Sequence, residues 1–132
     1  MPTVFRNGIL EVDRLLIICT IMRILKDKTR VSDLKPLAEK MFGNLVKGVV
    51  DIERELVMID GELHSDLAEK LAEGGSRGMN LWGFNIFPEV EDWLEFDSMV
   101  NIKPLQSNRT RGIDDAGTRE KAEEIIKKFI IR

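Results

Sequence analysis

The chain has 132 residues, of which 43% are hydrophobic and 33% charged, with a formal net charge of −3. That length suits one domain able to bury about two-thirds of its unfolded surface, and the composition excludes a disordered chain. A lone cysteine, Cys19, excludes an internal disulfide framework and a cysteine-rich metal centre, and an intracellular, cytoplasmic compartment is the expectation.

Charge is unevenly spread: residues 1–50 carry +4 (nine basic against five acidic), 51–97 carry −10 (three against 13) and 98–132 carry +3 (eight against five). An acidic middle speaks against nucleic acid as the main partner, because phosphate contacts need a basic face. It would attract cations or meet the basic end of a second molecule; simple solvation is the plainer alternative.

Leu15 to Met22 reads LLIICTIM, too short to span a bilayer and ended by Arg23, so no membrane association is expected. It follows Glu11 to Arg14 and leads to no small-residue cleavage site, which argues against a secretory leader. Residues 1–21 read as an N-terminal extension or a buried strand, and 22–132 as a single domain opening on the strand MRILKDK.

Ser32 is placed to cap a helix with Leu34, Leu37, Ala38 and Met41 on one face, Pro36 in its first turn and Gly43 closing it. Val46, Val50 and Ile52 then alternate with Lys47, Val49 and Asp51, and Leu56 to Ile59 form a second apolar run. The charged group Glu53-Arg54-Glu55 between them suits a hairpin turn but lacks glycine or asparagine, so one long bent strand is the alternative.

Ser65 is placed as another cap, with Leu67, Ala68 and Leu71 at helical spacing before Gly74-Gly75. LWGFNIFP predicts a strand with Trp82, Phe84 and Ile86 on one side and Asn85 on the other, stopped by Pro88. WLEFDSMVNIKP predicts a further strand, with Phe96, Ser98, Val100 and Ile102 opposite Glu95, Asp97, Met99, Asn101 and Lys103. Trp93 reads as an edge residue available to an interface.

After the polar loop LQSNRTRGIDDAG, Asp114 or Asp115 caps a last helix with Ala122, Ile125, Ile126, Phe129 and Ile130 on one face. Arg119–Glu123, Glu123–Lys127 and Glu124–Lys128 are its i,i+4 charge pairs. The order is β-α-β-β-α-β-β-α, an α+β fold with a mixed, largely antiparallel sheet and three amphipathic helices.

The segments VKGVVDIERELVMIDGELHSD, LWGFNIFP and EFDSMVNIKPLQSNRTRGI together resemble a family of short, uncharacterised prokaryotic proteins, over roughly Met22 to the C-terminus. The resemblance implies a domain of unknown function and supplies no activity, cofactor or catalytic residue. Its members begin near Met22, so the first 21 residues depart from the pattern, and Glu55 stands where a turn glycine is expected.

His64 is the only histidine, flanked by Glu62 and Asp66. On a strand, Glu62 and His64 would share a face about 6–7 Å apart and, with Asp97 or Asn101, offer metal ligands. One imidazole is a thin donor set, so no metal and no cofactor is expected. The plainer reading is a histidine bonded to a carboxylate at a strand-to-helix junction. Acid–base work by His64 oriented by Glu62 or Asp97 has no partner nucleophile beyond Ser65, Ser98 and Ser107 by type, and Cys19 lies in an apolar run.

Asn108-Arg109-Thr110-Arg111-Gly112, just ahead of the final helix, suits a carboxylate or phosphate; alternatively Arg109 and Arg111 pair with the chain's own Asp97, Glu95 or Glu62. The functional expectation is a small anionic ligand held by Glu62, His64, Asp97, Asn101, Arg109 and Arg111, which requires residues 56–64 and 94–102 to lie close together. The alternative is a non-catalytic interaction module or homodimer built on the apolar N-terminus and the charge asymmetry. Nucleic-acid binding through 103–132 ranks last, since four of its eight basic side chains sit at acid-paired helix positions.

Overall fold

Alternation in the strands decides the architecture. The computed structural model describes residues 22–132, so the readings made for residues 1–21, including the apolar run and the Cys19 thiol, lie outside the described residues. Among the described residues the order is β1 (Arg23–Ile24), β2 (Thr29–Arg30), α1 (Lys35–Met41), β3 (Val46–Asp51), β4 (Leu56–Ile59), α2 (His64–Glu73), β5 (Leu81–Ile86), β6 (Leu94–Glu95), α3 (Ala116–Phe129) and β7 (Ile130–Ile131). Five strands form an antiparallel sheet in the order β1-β4-β3-β5-β6, while β2 and β7 pair in parallel as a separate two-stranded sheet. The class is therefore α+β, with three helices on a mostly antiparallel sheet.

Register sorts the side chains into two faces. Val50 stands opposite Val57 and Trp82, and Val46 opposite Ile86, so these residues line one face with Ile59 and Phe84. Leu34, Ala38, Ala122, Ile125, Ile126 and Ile130 cover that face, bringing α1 and α3 onto it. Val49, Met58 and Leu81 project the other way and meet Leu67 and Leu71 of α2. The sheet is thus sandwiched between α1 with α3 on one side and α2 on the other, burying apolar surface on both faces. Trp93 is buried in the larger core, so of its two readings, an edge residue at an interface or ordinary packing, the structure has the packing.

The 46–59 hairpin forms without the expected glycine. Asp51 Oδ1 accepts from the backbone N–H groups of Glu53 (2.8 Å) and Arg54 (2.9 Å), a side-chain-made turn that carries the chain round. Glu55 takes the left-handed conformation at φ 55° and pairs with Lys128 of α3 at 2.8 Å. Gly43, at φ +90°, ends α1 as expected, its N–H donating to Ala38 O.

Four local readings need correction. Ser32 caps nothing: a 3-10 turn over Val31–Leu34 precedes α1, and Pro36 sits in the first turn of α1. Ser65 does not cap α2 either, because the helix already begins at His64, with Leu63 as its N-cap residue. The strand at 94–102 stops after Glu95; Ser98 caps a 3-10 turn over Met99–Asn101, accepting from Val100 N. None of the three i,i+4 pairs expected on α3 forms an ion pair among the described residues: Lys128 reaches Glu55, and the Arg119 guanidinium donates to Ile113 O. The capping of α3 is as read, with Asp115 accepting from Thr118 N.

Candidate functional site

One row of polar residues crosses the α2 face of the sheet. Lys47 of β3 stands directly opposite Asn85 of β5, and Asn85 directly opposite Glu95 of β6. Cation, amide and carboxylate therefore lie side by side, on the face that Val49 and Leu81 make apolar further along. Above this row the chain leaves β4, bends through Gly61–Leu63 and enters α2 at His64.

The result is a cavity of about 460 Å³, in the range of small-molecule sites. Its polar lining is Lys47, His64, Ser65, Asn85, Glu95, Asp97, Ser98 and Arg111. Leu63 and Met99, both more than half exposed, form apolar lips, with Phe87 beside them.

The start of α2 carries no side-chain cap, and the N–H groups of His64 and Ser65 have no hydrogen-bond partner among the described residues. Such N–H groups, with the positive end of the helix dipole, favour an anion. The His64 ring lies on β5: Nε2 bonds Phe84 O at 2.8 Å. A carbonyl only accepts, so Nε2 carries the proton and Nδ1 of the neutral ring keeps a lone pair. Burial is the main cause holding the imidazole pKa below its ordinary value. Lys47 adds to it, while the Phe84 carbonyl, the Asn85 carboxamide and Asp97 act against it. Asn85 Nδ2 donates to Glu95 Oε1 and to Asp97 O, both at 3.2 Å, while its buried Oδ1 meets no bond partner among the described residues.

Two buried asparagines build the far wall. β6 pairs with β5 only at Asn85 and Ile86, which leaves the edge of β5 open at Gly83. The Asn101 carboxamide fills the gap like a strand's peptide: Oδ1 accepts from Gly83 N (2.7 Å), and Nδ2 donates to Gly83 O (3.0 Å) and Arg111 O (2.8 Å). Asn108 then ties the loop together, donating to Asn101 O and Gly112 O and accepting from Asp114 N. Glycine is required at 83, since a Cβ there would lie 2.6 Å from Ser98 Cβ and 3.2 Å from His64 Cδ2.

Arg111, its carbonyl held by Asn101 and Ser98, reaches Asp97 with Nε at 2.5 Å and Met99 Sδ with Nη1 at 3.7 Å. Nε–H and one Nη1–H are thus engaged, and the remaining N–H donors have no bond partner among the described residues.

His64, Asp97 and Arg111 therefore come together, but not by the route expected. β3 and β5 separate β4 from β6, so the two stretches do not adjoin as strands; α2 carries His64 back across the sheet. Asn101 is fully buried in backbone bonds, and so holds the wall rather than facing the cavity. Glu62 lies in an exposed bend, so the shared strand face with His64 does not exist. Arg109 is exposed, and neither it nor Glu62 lines the cavity; Arg109 N donates to Asp114 Oδ2. The histidine's partner is a backbone carbonyl, not a carboxylate.

Lys47 and Asn85 also line the cavity and are not among the candidates singled out from sequence, where Glu95 enters only as an arginine partner and Ser65 and Ser98 only as hydroxyls by type. The signal for Lys47 and Asn85 is a polar residue on a strand face that Val49 and Leu81 make apolar.

No group of three or more His, Cys, Asp or Glu side chains that could hold a metal occurs among the described residues. Likewise no helix among them is long and apolar enough to cross a membrane. No curated protein and no solved structure matches the chain. Residues 23–129 match the family described as protein of unknown function DUF5674, and the chain belongs to that family.

Proposed function

We propose that the cavity at the start of α2 binds a small organic molecule through an anionic group, a carboxylate or a phosphate. The observation that carries this reading is the uncapped helix start, whose residues His64 and Ser65, with N–H groups unpaired among the described residues, line the same cavity as Lys47 and Arg111. Two cations and a helix dipole stabilise an anion there. Glu95 and Asp97 in the same lining disfavour a bare polyanion and leave room for a ligand with polar, uncharged parts.

A thermal-shift screen of inorganic phosphate, small carboxylates and phosphate monoesters tests the reading. At a hundred times the dissociation constant, a ligand stabilises by about 2.7 kcal/mol, enough to raise the melting temperature by several degrees. The expected result is protection of the wild type that is reduced in Lys47→Ala and Arg111→Ala. No protection by any anion, or equal protection of all three proteins, would overturn it.

A further inference from the structure

The anion reading leaves one face of the cavity without a stated role, that of the His64 ring. Its Cδ2 side faces Gly83 and its Nε2 bonds Phe84 O, so β5 holds one edge of the imidazole. The opposite edge carries Nδ1, which has no hydrogen-bond partner among the described residues, on a side chain that lines the cavity. A backbone carbonyl that takes the Nε2 proton fixes the tautomer and leaves Nδ1 as an acceptor. Beside it, Asn85 is 7% exposed and its Oδ1 is a second acceptor without a bond partner. The ring's Nδ1 acceptor thus stands next to the cluster of donors formed by Lys47, Arg111 and the α2 start.

Resting on the anion reading, we propose that His64 Nδ1 accepts a hydrogen bond from the ligand, so that the preferred ligand is a hydroxylated anion: a hydroxy acid or a polyol phosphate. The anionic group meets the helix start, Lys47 and Arg111, and a hydroxyl nearby donates to the imidazole. A bare acid of the same size leaves the acceptor unpaired. An unpaired polar group in a buried site is what separates such analogues. Protonation of His64 turns the acceptor into a donor, so the preference for the hydroxyl is lost as pH falls and the ring becomes charged.

Matched pairs test this by calorimetry: lactate against propionate, and glycerol 3-phosphate against propyl phosphate. The wild type is expected to bind the hydroxylated member of at least one pair about fivefold tighter or more at pH 7.5. His64→Gln retains an N–H at the Nε2 position but presents nothing at Nδ1, so it should bind both members alike. Equal binding within each pair by the wild type, or a preference that survives in His64→Gln, would overturn the hydroxyl contact and leave the anion reading standing. Binding of none of the four would overturn both.

Should His64→Gln fail to fold, the ring nitrogens of the wild type give the same answer by long-range 1H–15N spectra. The expected spectrum has Nε2 protonated, Nδ1 bare, and the Nδ1 signal moving with glycerol 3-phosphate. A proton on Nδ1, or a signal that does not respond, would contradict the proposal.

Discussion

Asn101 shows how a single side chain substitutes for a missing strand. Its three bonds satisfy Gly83 N, Gly83 O and Arg111 O, all beyond the short pairing of β6. Truncation leaves Gly83 N and Gly83 O buried and unpaired and Arg111 O held by Ser98 N alone, so Asn101→Ala is expected to cost about 3 kcal/mol in denaturant unfolding. It should also loosen Arg111. Gly83→Ala brings a methyl against Ser98 and His64 and should cost about 2 kcal/mol. His64 has a pH signature with a definite sign. Its folded pKa lies below 6.5, so the unfolded chain binds the proton more readily. Stability from this group is complete above 6.5 and is lost as pH falls towards the folded pKa. Carboxylates titrate in part of the same range, so the quantity to follow is the difference between wild type and His64→Gln. The wild type should lose more stability than the variant between pH 7.5 and about 5. Parallel curves would show that the imidazole is not held neutral by burial. Of these residues, His64 stood out in sequence as the lone histidine, while Asn101 did not: its alternation placed it on a strand, and nothing local reveals that its carboxamide closes a gap in a sheet edge.

Two helix starts allow a contrast between elements. Asp115 caps α3, so Asp115→Ala should lower the melting temperature by about 4 °C. Ser65 lies inside α2 and makes no cap, so Ser65→Ala should leave it within about 2 °C of wild type. Sequence alone gave the two the same standing, because a serine before an apolar helical pattern looks like a cap whether the helix begins there or one residue earlier. The hairpin shows the reverse failure. Absence of glycine in Glu53-Arg54-Glu55 counted against a turn, yet Asp51 supplies the turn's bonds and Glu55 accepts the positive φ. Glu55→Gly relieves that backbone while losing the Lys128 pair, an exposed contact of small effect, and should leave the melting temperature unchanged or higher. Glu55→Val, β-branched at the same φ, should lower it by about 5 °C. Strand and helix periodicities were legible because each face is buried against one layer: Val46, Val50, Trp82, Phe84 and Ile86 face α1 and α3, and Leu67 and Leu71 face the other side of the sheet. Alternation overstates strand β6 because it continues past Glu95 through residues that belong to a 3-10 turn instead.

Across the whole molecule, the placement of the cavity follows from chain order. Helix α2 must pass from the end of β4 to the start of β5 on the far side of β3, and its first turn falls over the polar row Lys47, Asn85 and Glu95. The acidic middle and the basic C-terminal third of the sequence meet at this point, through Arg111 and Asp97, which is the internal pairing that competed with the anion reading. The internal pairing is present at Arg111, and the anion reading rests on the guanidinium donors that this pair leaves over. That juxtaposition was not legible from sequence, because it depends on strand order rather than on spacing. The central claim is that the bare N–H groups at the start of α2, with Lys47 and Arg111, form the anion-binding surface. Titration of 15N-labelled protein with glycerol 3-phosphate measures this most directly. The account predicts saturable shifts centred on the His64 and Ser65 amides and weakened in Lys47→Ala. Amides at 64 and 65 that stay fixed while the lysine-bearing face of α3 responds would contradict it.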